Sequence, residues 1–154
     1  MRRLAAVLPL AGVLAVSACA TTVHLEAEPY ANDPSCAAAA VRLPDALGDL
    51  PRRWTDAQAT AAWGDPTVIF ACGLEPPGPT TLQCVSISGV DWIVDDSAFP
   101  HLRMTTYGRT PAAQVYVDTE RVSSNDVLSA VGAAASQLEQ AGECVAPDEA
   151  ERVG

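Results

Sequence analysis

A chain of 154 residues, 49% of them hydrophobic, has the size of one domain and enough apolar surface to bury a core without help from a metal. Its formal net charge of −10 excludes nucleic acid, which needs clustered Lys or Arg against phosphates. The same acidity excludes docking on anionic lipid by charge alone, and all nine basic residues are Arg.

The chain opens with Arg2 and Arg3, followed by an apolar run from Leu4 to Val16 that carries no charge. Val16, Ser17 and Ala18 then stand directly before Cys19. This is the tripartite pattern of a secretory signal over residues 1–18. The run is shorter than the ~20 apolar residues of a comfortable membrane span. Val-Ser-Ala-Cys also resembles the lipobox of bacterial lipoproteins. That resemblance implies that Cys19 receives a diacylglyceryl group, that a peptidase cuts just before it, and that the new amine is open to acylation. Acyl chains on Cys19 supply the doubled anchor that a single chain cannot. The expected location is therefore the extracytoplasmic face of the cell membrane, held to the lipid bilayer through acylated Cys19.

Residues 19–32 show no useful periodicity, and Glu26, Glu28 and Pro29 give them the look of a flexible tether. A single domain over 33–145 follows, and the acidic residues 146–154 are expected to be disordered. Asp33-Pro34 reads as a helix start, with the Ala-rich stretch from Cys36 to Val41 as a short helix. Pro44, Gly48 and Pro51 mark turns. Thr55 and Gln58 have capping-box spacing, which predicts a second short helix running to Trp63 and stopping at Gly64 and Pro66.

The middle of the chain reads as strands. Val68 to Cys72 is a continuous apolar run, as in a strand buried on both faces. Pro76, Pro77, Gly78 and Pro79 form a loop. Leu82 to Ser88 alternates, with Val85 and Ile87 on one face. Val90 to Val94 and Arg103 to Tyr107 are further candidates, and Ala113, Val115 and Val117 alternate with polar neighbours. Ser123 then caps a helix whose apolar positions Leu128, Val131, Ala135 and Leu138 recur at helical spacing. The expected fold class is α+β: an antiparallel sheet of about four strands, disulfide-stapled, with helices at both ends of the chain packed on one face.

Setting Cys19 aside leaves Cys36, Cys72, Cys84 and Cys144, an even set that suits an oxidising compartment. The favoured pairing joins Cys72 to Cys84 across the Pro-rich loop, and Cys36 to Cys144. A metal site is disfavoured, since there is no C-x-x-C and neither His24 nor His101 sits at ligand spacing from a cysteine. No cofactor is expected.

Catalytic patterns are missing as well. Asp95, Asp96, Ser97 and His101 crowd together in sequence, unlike an assembled triad. Neither Gly-x-Ser-x-Gly nor a phosphate-cradling glycine loop is present. Two clusters remain: Ala62-Trp63-Gly64-Asp65-Pro66 leading to Cys72-Gly73, and Gly89-Val90-Asp91-Trp92 with Thr105-Thr106-Tyr107-Gly108-Arg109. Arg103 and Arg109 are candidates for bidentate binding of an anion, with Trp63 and Trp92 beside them. The competing reading makes the tryptophans core residues and pairs Arg109 internally, with Asp91 as a partner.

Taken in order, the lipobox, Leu43-Pro44, the Trp63-Gly64-Asp65-Pro66 segment, Cys72-Gly73, Gly89-Val90-Asp91-Trp92 and Tyr107-Gly108-Arg109 resemble a family of actinobacterial exported proteins, the domain of unknown function 3515. The likeness covers most of the mature chain. Where the family often places Arg before Cys-Gly, this chain has Ala71. The resemblance implies location and architecture and carries no catalytic residues with it. The expected function is a non-catalytic lipoprotein that binds an envelope protein or a cell-wall component. The alternative is a small-molecule binding or hydrolytic domain using Arg103 and Arg109, and a third is a structural part of a larger assembly.

Overall fold

The computed structural model describes residues 21–145, so Cys19 and the acidic tail 146–154 lie outside the described residues. Asp33 caps the first helix, α1 (Pro34–Ala40), by accepting from the Ser35 amide and hydroxyl at 2.8 and 2.6 Å, with proline in the first turn where no N–H is needed. Strands β1 (Ala46–Leu47), β2 (Leu50–Arg53), β3 (Thr60–Trp63) and β4 (Val68–Leu74) follow as a meander. Then come β5 (Gln83–Ile87), β6 (Val90–Ala98), β7 (His101–Thr106), β8 (Arg109–Thr110) and β9 (Ala112–Asp118). Helix α2 (Ser124–Ala135), capped by Ser123, and the short β10 (Glu139–Gln140) complete the order.

Eight strands form one antiparallel sheet in the order β1-β2-β3-β4-β9-β7-β6-β5, while β10 pairs with β8 as a separate ribbon. Alternation decides the two faces. Val68, Phe70 and Cys72 of β4, Ala113, Val115 and Val117 of β9, Met104 and Thr106 of β7, and Val90 and Trp92 of β6 all point inward and are buried. Helices α1 and α2 cover this face through Cys36, Ala39, Val127, Leu128, Val131, Ala134 and Ala135. The opposite face, with Ile69, Ala71, Arg103, Thr105, Gln114 and Tyr116, carries no helix and is half-buried to exposed.

Both ends of the described domain wrap around this sheet. Residues 21–33 run along the open face, cross the end of β4 and deliver Asp33 to the helical face. The crossing is tight: the Tyr30 amide donates to the Gly73 carbonyl at 2.8 Å, and a Cβ on Gly73 would lie 2.3 Å from the Ala31 nitrogen. After α2 the chain returns the other way. The Ala141 amide donates to the Gly108 carbonyl at 2.7 Å, and a Cβ on Gly108 would meet the Gly142 carbonyl oxygen at 2.1 Å. Both glycines also have positive φ, +109° and +65°, which side chains rarely adopt. Cys144 then reaches the edge strand β5, with its amide donating to Asp91 at 2.7 Å.

Several expectations need correction. The α+β fold with about four strands and helices at both ends is replaced by a mostly β architecture of eight sheet strands, a two-stranded ribbon and two short helices. The helix expected after Thr55 is strand β3. The Thr60 hydroxyl donates to the Ala57 carbonyl and the Thr55 hydroxyl to the Thr60 carbonyl, so these groups close a turn where a cap was expected. All four β3 residues are buried, which leaves no alternation to read. Residues 21–32 of the expected tether are hydrogen-bonded to the domain, from Thr21, held by Arg53, to Tyr30, whose amide donates to Gly73.

The disulfides join Cys36 to Cys72 and Cys84 to Cys144, with Cα separations of 5.6 and 6.1 Å, and not the pairs expected. The reason is topological. The expected Cys72–Cys84 bridge requires β4 and β5 to be a hairpin, yet three strands lie between them. At about 4.8 Å per strand they are about 19 Å apart. Cys72 also points to the helical face, where it meets Cys36 of α1.

Non-reducing peptide mapping should therefore recover 36–72 and 84–144 as the crosslinked pairs, and recovery of 72–84 would refute this topology. Replacing Cys36 and Cys72 together by Ala should lower urea stability by about 4 kcal/mol, the chain-entropy value for a loop of that length.

Candidate functional site

The open face presents two rows of side chains set by the strand register. One runs Ile69, Tyr116, Arg103, Asp95; the other runs Ala71, Gln114, Thr105, Ile93. The first stretch of the chain, His24 to Glu28, lies along the side of these rows. Between strap and sheet is a cleft of about 580 Å³ lined by His24, Glu26, Glu28, Arg103, Gln114 and Tyr116 above a floor that includes Ile69 and Ala71. Arg103 is exposed and forms no ion pair or hydrogen bond among the described residues. Tyr116 is fixed by stacking on His101, with ring centroids 5.5 Å apart, and Gln114 Nε2 donates to Thr105 Oγ1 at 2.9 Å. The cleft thus combines a guanidinium, a primary amide, an aromatic face and two carboxylates. Arg103 can offer two parallel donors to a carboxylate, while Glu26 and Glu28 suit a ligand that also carries hydrogen-bond donors or positive charge.

The strap that forms one wall is held by its own contacts. Val23 forms an isolated parallel bridge with Thr55, and its amide donates to the Trp54 carbonyl at 2.8 Å. Asp56 accepts from the Leu25 amide at 2.9 Å and pairs with His24 Nδ1. The Leu25 amide and then the His24 side chain hold the Asp56 carboxyl below its ordinary 3.8. Asp95, on the far side of Arg103, is likewise held low, first by the Ser97 hydroxyl and amide and then by the Arg103 charge.

The four residues expected as one ligand set do not come together. Trp63 and Trp92 are fully buried on the helical side, and the Trp63 indole donates to the Pro44 carbonyl at 3.1 Å. Arg109 is buried as well. It donates to the Leu138 carbonyl at 2.9 Å and the Gly89 carbonyl at 3.2 Å, tying the end of α2 to the β5–β6 turn. Asp91, expected as its partner, instead accepts from the Cys144 amide. Only Arg103 of the set faces a cleft. The residues sequence reasoning missed are Gln114, Tyr116 and the strap. Alternation already placed Gln114 and Tyr116 on the non-core face of their strand, but nothing in the sequence put the strap beside them.

His101 Nδ1 lies 4.0 Å from Asp118 Oδ1, and neither imidazole is hydrogen-bonded to a hydroxyl or thiol among the described residues. Those residues also contain no cluster of His, Cys, Asp or Glu suited to a metal ion, and no helix long and apolar enough to cross a membrane.

Two outcomes follow from these bonds. Because Asp56 ionises more easily in the folded chain than in the unfolded one, its contribution is complete above 3.8 and disappears as the pH falls through the lower native value. Exchange of the Leu25 amide, corrected for intrinsic rate, should therefore speed up on acidification below 3.8, and should already be fast at neutral pH in Asp56→Ala. Arg109→Lys should cost about 2 kcal/mol in urea unfolding, because one ammonium cannot reproduce a fork spread over two carbonyls.

No curated protein and no solved structure matches the chain. A family model does, described as protein of unknown function (DUF3515), over residues 3–144. That span takes in the whole described domain up to its last cysteine, and the chain belongs to the DUF3515 family.

Proposed function

We propose that this chain is a lipid-anchored, extracytoplasmic binding module of the bacterial cell envelope, non-catalytic, which holds a carboxylate-bearing cell-wall component in the cleft between strap and open sheet face. The observation that carries this reading is Arg103: a guanidinium with no hydrogen bond or ion pair among the described residues, facing a cleft that also offers an amide and an aromatic ring. Two further features support it. The motif residues Trp63, Gly73, Trp92, Gly108 and Arg109 are all occupied in building the domain, which leaves the open face as the surface where binding is available. Paired disulfides suit a chain that folds in an oxidising compartment. The rival pocket built on both Arg103 and Arg109 loses its second member to the interior.

The test is titration of the mature domain with soluble peptidoglycan fragments, followed by calorimetry. Wild type should bind fragments with a free carboxylate, and Arg103→Ala should weaken that binding at least tenfold while unfolding at the same temperature. Equal affinity in the variant would sink the cleft, as would wild type that ignores every fragment. Location is tested separately: Cys19→Ser should release the protein from membranes.

A further inference from the structure

Trp54 is the one of the chain's three tryptophans that stands out in solvent: its exposure is 77%, while Trp63 and Trp92 are at 0%. Its position in the fold is set by the strap. Thr21, the first described residue, accepts from Arg53 Nη2 through its carbonyl at 2.9 Å and through its hydroxyl at 2.7 Å. Val23 then bonds the Trp54 carbonyl, and Asp56 donates its amide to the Val23 carbonyl. The start of the domain is therefore fastened to the residues on either side of Trp54.

Only two peptide units separate Thr21 from Cys19, a reach of about 7 Å at full extension. If the acyl chains of Cys19 lie in a bilayer, the Arg53–Trp54 end of the domain cannot stand far from the headgroups. An exposed indole at that height has a natural environment, because Trp is favoured where one end of a ring is apolar and the other wet. Beside it is a hollow of about 580 Å³ lined by Asp45, Arg52, Arg53, Thr55 and Thr60, in which the Arg53 and threonine donors are engaged within the chain and exposed Arg52 keeps donors for a polar headgroup.

We infer that Trp54, with exposed Arg52 beside it, is the membrane-contacting surface of this protein, with the headgroup layer of the bilayer as its occupant. The inference rests on the lipid-anchor reading of Cys19 and adds an orientation to it. The domain does not swing on a long leash. It sits on its β2 end, with the indole in the interface.

The experiment uses the lipidated, full-length protein purified from bacterial membranes and reconstituted into phosphatidylcholine–phosphatidylglycerol vesicles whose acyl chains carry bromine near the headgroup. Bromine quenches an indole on contact, so Trp63 and Trp92 act as internal unquenched references. The protein should float with the vesicles and lose part of its emission, and Trp54→Phe should float equally well and lose none. Bromines placed deep in the acyl chains should quench less than shallow ones. Protein that floats without quenching, or quenching that survives Trp54→Phe, overturns the inference while leaving the anchor intact. Protein that does not float at all removes the anchor and the inference together.

Discussion

The inner face of the sheet is kept dry by very little helix. Seven residues in α1 and twelve in α2 have to cover Trp63, Phe70, Trp92, Met104 and a row of valines, and neither helix is long enough to hold its place alone. What fixes them is their attachment at the ends. Helix α1 is bridged to the central strand β4 through Cys36 and Cys72, and the turn that follows α2 is held by Arg109 at the Leu138 carbonyl. That bond fixes where the chain leaves the helix and so where the helix lies on the sheet. Remove these ties and the apolar face has no permanent lid.

Those same ties explain why the two terminal segments wrap around the sheet. A strap can pass within hydrogen-bonding distance of a strand end only where no side chain intervenes, and Gly73 and Gly108 supply the two places. At each crossing the chain moves between the open face and the helical face. The cleft exists because the first strap is held on the open side, at Thr55 and Asp56, before it crosses at Gly73. Site and scaffold are thus one construction, and the geometry around Arg103 depends on residues more than thirty positions away.

Much of the local structure was legible. The strands at 68–72, 82–88, 90–94, 103–107 and 113–117 follow from alternation, and the helix beginning at Ser123 follows from its cap and spacing. The strands at the β1–β3 side were not legible, because β1 has two residues and β3 has all four residues buried, so period-2 alternation had nothing to act on. The cysteine pairing failed for a different reason. Adjacent strands in sequence usually pair, and here the Pro-rich loop carries the chain from the centre of the sheet to its far edge. For the site, Arg103 was readable as a candidate, and Arg109 follows the competing reading of an internally bound guanidinium, with the Leu138 and Gly89 carbonyls in place of Asp91. A buried guanidinium on two carbonyls leaves the same trace in sequence as one waiting for a ligand.

The order in which the bridges fall along the chain has a consequence for biogenesis. Cys36 pairs with the next cysteine, Cys72, and Cys84 with the next after that, Cys144; the two loops neither nest nor interlock. Oxidation that joined these four cysteines in chain order would produce the native set directly, with no exchange between the two loops.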